Sequence, residues 1–113
     1  QVSNHSLELL RECDPTEELT NALCGQEYCK KASVIFLISG FLARTKFKYG
    51  ERGYRYVLLD IGHLAQNLYL SCTALGFGVM TSCGFYDDLA NKLTGIDGLE
   101  ETIMYTAFIG KQD

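Results

Sequence analysis

The order of elements along this chain predicts an α+β or α/β domain, and three observations carry that reading. Asp14-Pro15-Thr16-Glu17 has the pattern of a helix start, with a capping carboxylate, proline at the first helical position and a glutamate placed to reach back. Tyr54 to Leu75 is apolar at helical spacing over about six turns. Thr102 to Ile109 alternates, with Ile103, Tyr105, Ala107 and Ile109 on one side, as a strand with one buried face does.

The remaining elements fall between these three. The first helix is expected to run from Asp14 as N-cap to about Cys24 and to stop at Gly25. Ser33 to Leu42 is rich in β-branched and aromatic residues, and its lack of alternation predicts a strand covered on both faces. Arg44 to Gly53 reads as a polar loop. In the long helix, Val57, Leu58, Ile61, Leu64, Ala65, Leu68, Cys72 and Leu75 form one wide stripe, and Leu59, Leu70 and Ala74 add apolar surface off it. A helix apolar nearly all round needs a second partner surface in so small a chain. An oligomer is therefore expected, with Gly62 allowing close approach and Gln66 and Asn67 available for hydrogen bonds; a central helix within one subunit is the alternative. Gly76-Phe77-Gly78 ends the helix, Val79 to Cys83 is a short strand broken by Gly84, and Asp87-Asp88 opens a short helix to Leu93 that Gly95 terminates.

At 113 residues the chain is one domain at most, and a domain of that size buries roughly 65% of its unfolded surface. Its hydrophobic fraction of 47% and charged fraction of 21% are those of a globular protein, which argues against disorder beyond the ends. The longest apolar run, Val34 to Ala43, is far short of the ~20 residues needed to cross a bilayer, so no membrane association is expected. No basic segment followed by an apolar stretch opens the chain, and the absence of an initiator Met is compatible with a start inside a longer chain. The five cysteines, Cys13, Cys24, Cys29, Cys72 and Cys83, are odd in number and form no CxxC, which reads as reduced thiols of a cytoplasmic protein. With His5 and His63 far apart, no metal site is expected.

A net charge of -4 argues against a general nucleic-acid binder. The charge is unevenly spread. Arg44, Lys46, Lys48, Arg52 and Arg55 are five of the ten basic residues, and Glu51 is the single acid among them. Such a patch on an acidic chain suits a small anion or an acidic partner, the alternative being a solvated loop whose arginines pair with acids elsewhere. Lys48-Tyr49-Gly50 within this run places a reactive pair in a glycine-broken basic segment directly before a buried helix, which is the layout of a site.

The stretch KYGERGYRYVLLDIGHLAQNLYLSCTALGFG, followed by GFYDD and the terminal strand, resembles the C-terminal half of a nitroreductase-fold flavoprotein. Within that superfamily it is similar to the SagB-type dehydrogenase group, which includes the azoline oxidases of thiazole/oxazole-modified peptide biosynthesis. The resemblance covers Gln26 to Ile109. It implies an α+β fold with an antiparallel-type sheet flanked by helices, a long central helix at a dimer interface, and an FMN-dependent oxidoreductase that works as a homodimer. Oxidation of a thiazoline or oxazoline ring in a peptide substrate is the activity it implies.

By the same resemblance, Lys48 and Tyr49 match the pair that the peptide-oxidase group uses for chemistry. Loss of a hydride to flavin and of a proton from the neighbouring carbon needs a base or polarising group within hydrogen-bond reach. Adjacent residues serve one site only where the chain turns, which Gly50 permits. Met80, Thr81, Ser82, Cys83 and Gly84 match the turn that lies along the flavin ring, with backbone contacts expected from Cys83 and Gly84, and Cys83 chosen for its size. The chain also departs from the family: nothing in Gln1 to Arg11 resembles the Arg/Ser motif that grips the FMN phosphate, and no basic tail follows Gly110. Residues 1–113 thus read as a single nitroreductase-like domain, truncated or split, with the missing half supplied by the Arg44–Arg55 segment or a complementary subunit. A flavin-free relative acting as scaffold or peptide-binding partner, and a generic nitroreductase using NAD(P)H, stand as alternatives. No G-x-G-x-x-G motif follows a strand, but members of the fold bind nicotinamide without one.

Overall fold

The computed structural model describes residues 1–111. Its centre is a three-stranded sheet in the order β1, β3, β2, formed by β1 (Val34–Phe41), β2 (Phe77–Ser82) and β3 (Glu101–Lys111), with both pairings antiparallel. The C-terminal strand is the middle one, so from Thr106 to Ile109 it is buried on both faces. Its even residues and its odd residues meet different helices. Phe108 packs with Leu23 and Cys29 beneath α1 (Thr16–Ala22) and the single turn at Glu27–Lys30, and Tyr28 meets its ring edge-on at 4.6 Å. On the opposite face, Tyr105 and the β2 residue Thr81 reach Tyr69 of the long helix α3 (Gly53–Ala74). The result is an α+β arrangement with helices on both sides of an antiparallel sheet.

The expected first helix ends two residues early. It also starts one residue later than expected, with Pro15 and not Asp14 at the N-cap; Asp14 instead forms the turn that leads in, its Oδ1 accepting from the Thr16 N–H at 2.9 Å and from its hydroxyl at 2.6 Å. The chain then leaves the helix through Cys24 and Gly25, both at positive φ, instead of continuing to Cys24. The helix α4 (Asp87–Thr94) matches its expected bounds to within a residue, and Gly95 at φ 75° ends it.

Two expectations are corrected. The strand expected to be covered on both faces lies at the edge of the sheet, and only Gly40 in it is buried. Its apolar run reflects Ile35 and Leu37 packing on the Phe108 side, while Val34 and Phe36 stay exposed on the side of α3. The segment expected as a loop is instead the helix α2 (Leu42–Tyr49) and a short turn at Gly50–Arg52. Leu42, Ala43, Arg44, Lys46 and Lys48 are good helix formers, and no breaker precedes Gly50, where φ 58° ends the helix. Lys46 and Lys48 in the last turn suit the helix dipole.

Two glycines let neighbouring elements pack closely. A Cβ on Gly53 would lie 2.9 Å from the Lys46 nitrogen, so glycine lets the two helices meet backbone to backbone at their junction. A Cβ on Gly40 would lie 2.5 Å from Met104 Sδ and 2.6 Å from Val57 Cγ1, which brings β1 onto α3. Met104 is the extra residue where pairing shifts between Ile38/Tyr105 and Ser39/Ile103. Asn91 of α4 serves that irregularity, accepting the Ile103 N–H at 2.8 Å.

Candidate functional site

Helix α2 presents Lys48 and Tyr49 at its C-terminal end, both exposed. The Lys48 Nζ stands 5.1 Å from the centre of the Tyr49 ring, and Tyr49 meets Tyr56 of α3 edge-on at 4.8 Å. The glycine turn that follows folds α3 back beside α2, which is how two sequence neighbours come to line one surface. Arg44, Thr45, Lys48, Tyr49, Tyr56 and Asp60 surround an open depression of 590 Å³. Lys46, from the same basic run, is turned away into an ion pair with Glu51 at 3.0 Å. Tyr56 and Asp60 were not among the expected site residues. Their spacing of four on a helix beginning at Gly53 was the signal that places them on one face.

The second group, Met80 to Gly84, forms the end of β2 and the residues after it. Met80 lines a different depression with Tyr28, Lys31, Phe108 and Gly110, on the sheet face that carries Phe108. Thr81 points the other way, and its surroundings are the polar cluster missed in the sequence. The Tyr69 hydroxyl accepts the Thr81 N–H at 3.1 Å and lies 3.2 Å from Thr81 Oγ1, which in turn lies 2.8 Å from the Tyr105 hydroxyl. Tyrosine recurring in α3 and β3 at positions facing one threonine was the available signal, but only the register of β2 on β3 reveals it.

Pairing with β3 stops at Ser82, so Cys83 and Gly84 lie exposed past the last rung. Gly84 donates its N–H to Ser82 Oγ at 2.9 Å, while the Cys83 N–H has no hydrogen-bond partner among the described residues. Gln26 packs against this turn from the other side. Its Nε2 donates to the Gly84 carbonyl at 3.4 Å, and a Cβ on Gly84 would sit 3.1 Å from the same nitrogen. Its Oε1 is buried without a partner. Small side chains, an exposed backbone and an open N–H are what the edge of a planar ring would need at close approach, so these residues fit a flavin.

Of the cysteines, Cys29 and Cys72 are buried and Cys13, Cys24 and Cys83 exposed, all as free thiols. Burial pushes the Cys29 thiol up from its ordinary value.

Comparison with known proteins identifies the family to which this fold belongs. The nitroreductase family pattern matches residues 1–111, and the chain belongs to that family. The nitroreductase homologue MJ1384 of Methanocaldococcus jannaschii is 37% identical over 92 residues, covering 81% of this chain and 46% of its own. The structure of a nitroreductase homologue from Anabaena variabilis superposes with a TM-score of 0.79 at 33% identity, over 89% of this chain and 20% of that one. The Escherichia coli microcin synthetase McbBCD complex, with truncated pro-MccB17 bound, contains a chain of the same fold: TM-score 0.85 and 24% identity over 96% of this chain and 41% of that one. This chain thus spans about half the length of its curated relative and a fifth of the Anabaena chain. Among the described residues no helix is long and apolar enough to cross a membrane.

Proposed function

We propose that the protein is an FMN-dependent oxidoreductase of the SagB type that oxidises thiazoline or oxazoline rings carried on a peptide. The observation that carries this reading is the presentation of Lys48 and Tyr49 side by side on an open surface, bordered by Tyr56 and Asp60. Family membership supports oxidoreductase chemistry, and likeness to a chain in a peptide-bound synthetase complex supports a peptide as substrate. FMN, when bound, accepts the hydride that ring oxidation releases.

The chain's own residues supply the rest. The residues that would hold FMN are those of the turn after β2: Cys83 would offer its backbone N–H to the flavin ring, and Ser82 and Gly84 would keep the approach free of bulk. Lys48 and Tyr49 hold the substrate and move the proton that leaves the carbon next to the hydride. The openness of the depression suits a substrate presented on a long chain, which closes the site from outside. The exposed flank of α3 is where a second copy, or a complementary subunit, completes it.

Replacing Lys48 by Ala tests the assignment. Oxidation of an azoline-containing peptide falls by a factor of 100 or more, on the order of a lost proton-transfer group, while the flavin absorbance bound per chain is unchanged. Unchanged turnover would remove Lys48 from the chemistry.

A further inference from the structure

The charge pattern between α2 and the start of α3 exceeds what proton transfer at Lys48 and Tyr49 requires. Arg44 and Lys48 stand four residues apart on α2 and border the depression with Tyr56 and Asp60 of α3, while Arg52, in the turn between the two helices, stands four residues before Tyr56. Glu51 neutralises Lys46, but Arg44, Lys48, Arg52 and Arg55 have no ion-pair partner among the described residues, and all four are exposed. Like charges one turn apart weaken the helix that carries them, so α2 holds a repulsion that a bound anion relieves. On a chain of net charge -4 the patch is a local positive field that draws acidic groups in.

Aromatic residues are interleaved with the cations in the sequence. Phe47 is 95% exposed and Tyr54 50%, and Tyr49 and Tyr56 stand edge-on beside the depression. Arginine with exposed aromatic rings is the composition that recognition surfaces for proteins concentrate. A free anion would occupy one or two of these cations. Exposed cations spread from Arg44 to Arg55 and interleaved with exposed aromatic rings fit an extended chain.

We propose that the Arg44–Arg55 surface docks an acidic peptide segment, the flank of the substrate peptide whose ring reaches Lys48 and Tyr49. This assignment rests on the peptide-oxidase reading for the identity of the peptide, and on Arg44, Arg52 and Arg55 for its binding. The arginines grip carboxylates of the flank, the aromatic rings cover its apolar parts, and Lys48 is left to the ring.

Fluorescence anisotropy with a labelled alternating Glu-Gly octapeptide, and its Lys-Gly counterpart as control, tests the surface directly. The acidic peptide binds and the basic one does not. Affinity falls about tenfold in the triple variant Arg44→Gln, Arg52→Gln, Arg55→Gln and falls with added salt, whereas Lys92→Gln on α4 leaves it unchanged. Equal affinity in the triple variant overturns the proposal, as does displacement of the peptide by equimolar inorganic phosphate, which would make this a small-anion site. Should the triple variant not fold, Arg52→Gln and Arg55→Gln singly must each weaken binding, and no loss in either is equally decisive. The readout needs neither flavin nor turnover. A colourless protein that still binds the acidic peptide sustains the docking surface and sinks the oxidase reading; an active flavoprotein whose triple variant binds normally sinks the docking surface alone.

Discussion

Individual glycines and carboxylates decide how closely the elements around the site meet. Gly53 has Lys46 backbone where its Cβ would be, and backbone gives way less readily than a side chain tip. Gly53→Ala is expected to cost about 1–3 kcal/mol and to push α2 off α3, read as a lower urea midpoint and loss of the Tyr49–Tyr56 contact by NMR. Asp97 acts in the loop that meets the start of α2, where the Glu100 carbonyl accepts the Leu42 N–H at 2.7 Å. Its Oδ1 accepts the N–H groups of Leu99, Glu100 and Glu101 at 2.9, 3.0 and 3.1 Å, and these bonds hold its carboxyl below the usual carboxylate range, the Leu99 N–H contributing most. A carboxyl with a depressed folded-state pKa stabilises the fold above its unfolded value near 3.9, and that contribution disappears as pH falls through the lower folded value. Asp97→Asn should therefore lower stability at pH 6 and lower it less at pH 2, measured by urea unfolding at both. An equal loss at both pH values would mean that charge is irrelevant to this turn.

At the scale of elements, strand β2 has an outer edge without a strand partner among the described residues, and Tyr69 covers part of it. Removing that hydroxyl leaves the Thr81 N–H without its acceptor. Tyr69→Phe is expected to cost about 1–3 kcal/mol and to speed hydrogen exchange at the Thr81 amide, loosening the turn at Ser82 to Gly84. Protected exchange in the variant would show that the strand holds itself.

Which elements were legible follows from where their determinants lie. Helix α3 was legible because its apolar spacing runs for 22 residues, and α4 because acids open it and Gly95 closes it. Helix α2 was not, because it buries no residue fully, and a charged amphipathic turn between two glycines has the composition of a loop. The exposure of β1 depends on its edge position, set by β3 inserting between β1 and β2 from far along the chain. In the candidate site, Lys48 and Tyr49 stood out as a motif, whereas Tyr56, Asp60 and the Tyr69–Thr81–Tyr105 cluster required knowing that α2 is helical and how β2 registers on β3.

At the scale of the molecule, α3 buries Val57, Ile61, Ala65 and Cys72 but leaves Leu58, Leu59, Leu64 and Leu70 between 44% and 61% exposed. Phe36 and Phe77 are exposed as well, and large apolar side chains left in the open mark a surface suited to a partner. Gly62 sits in the same helix with nothing within 4 Å of a Cβ position. In an isolated chain Gly62→Ala would stabilise the helix by roughly 0.5–1 kcal/mol. Where Gly62 lets a second copy approach, the same change weakens the dimer instead. Sedimentation equilibrium of Gly62→Ala is expected to show a raised dissociation constant, and a dimer indifferent to the added methyl would move the interface elsewhere.

The central claim, a flavin site built on the turn at Ser82 to Gly84 and completed across α3, is tested most directly by the visible spectrum of the protein. The spectrum is recorded across a sizing column before and after addition of FMN. Oxidised-flavin bands that elute with a dimer are the predicted result, and a colourless protein that fails to retain FMN would contradict it.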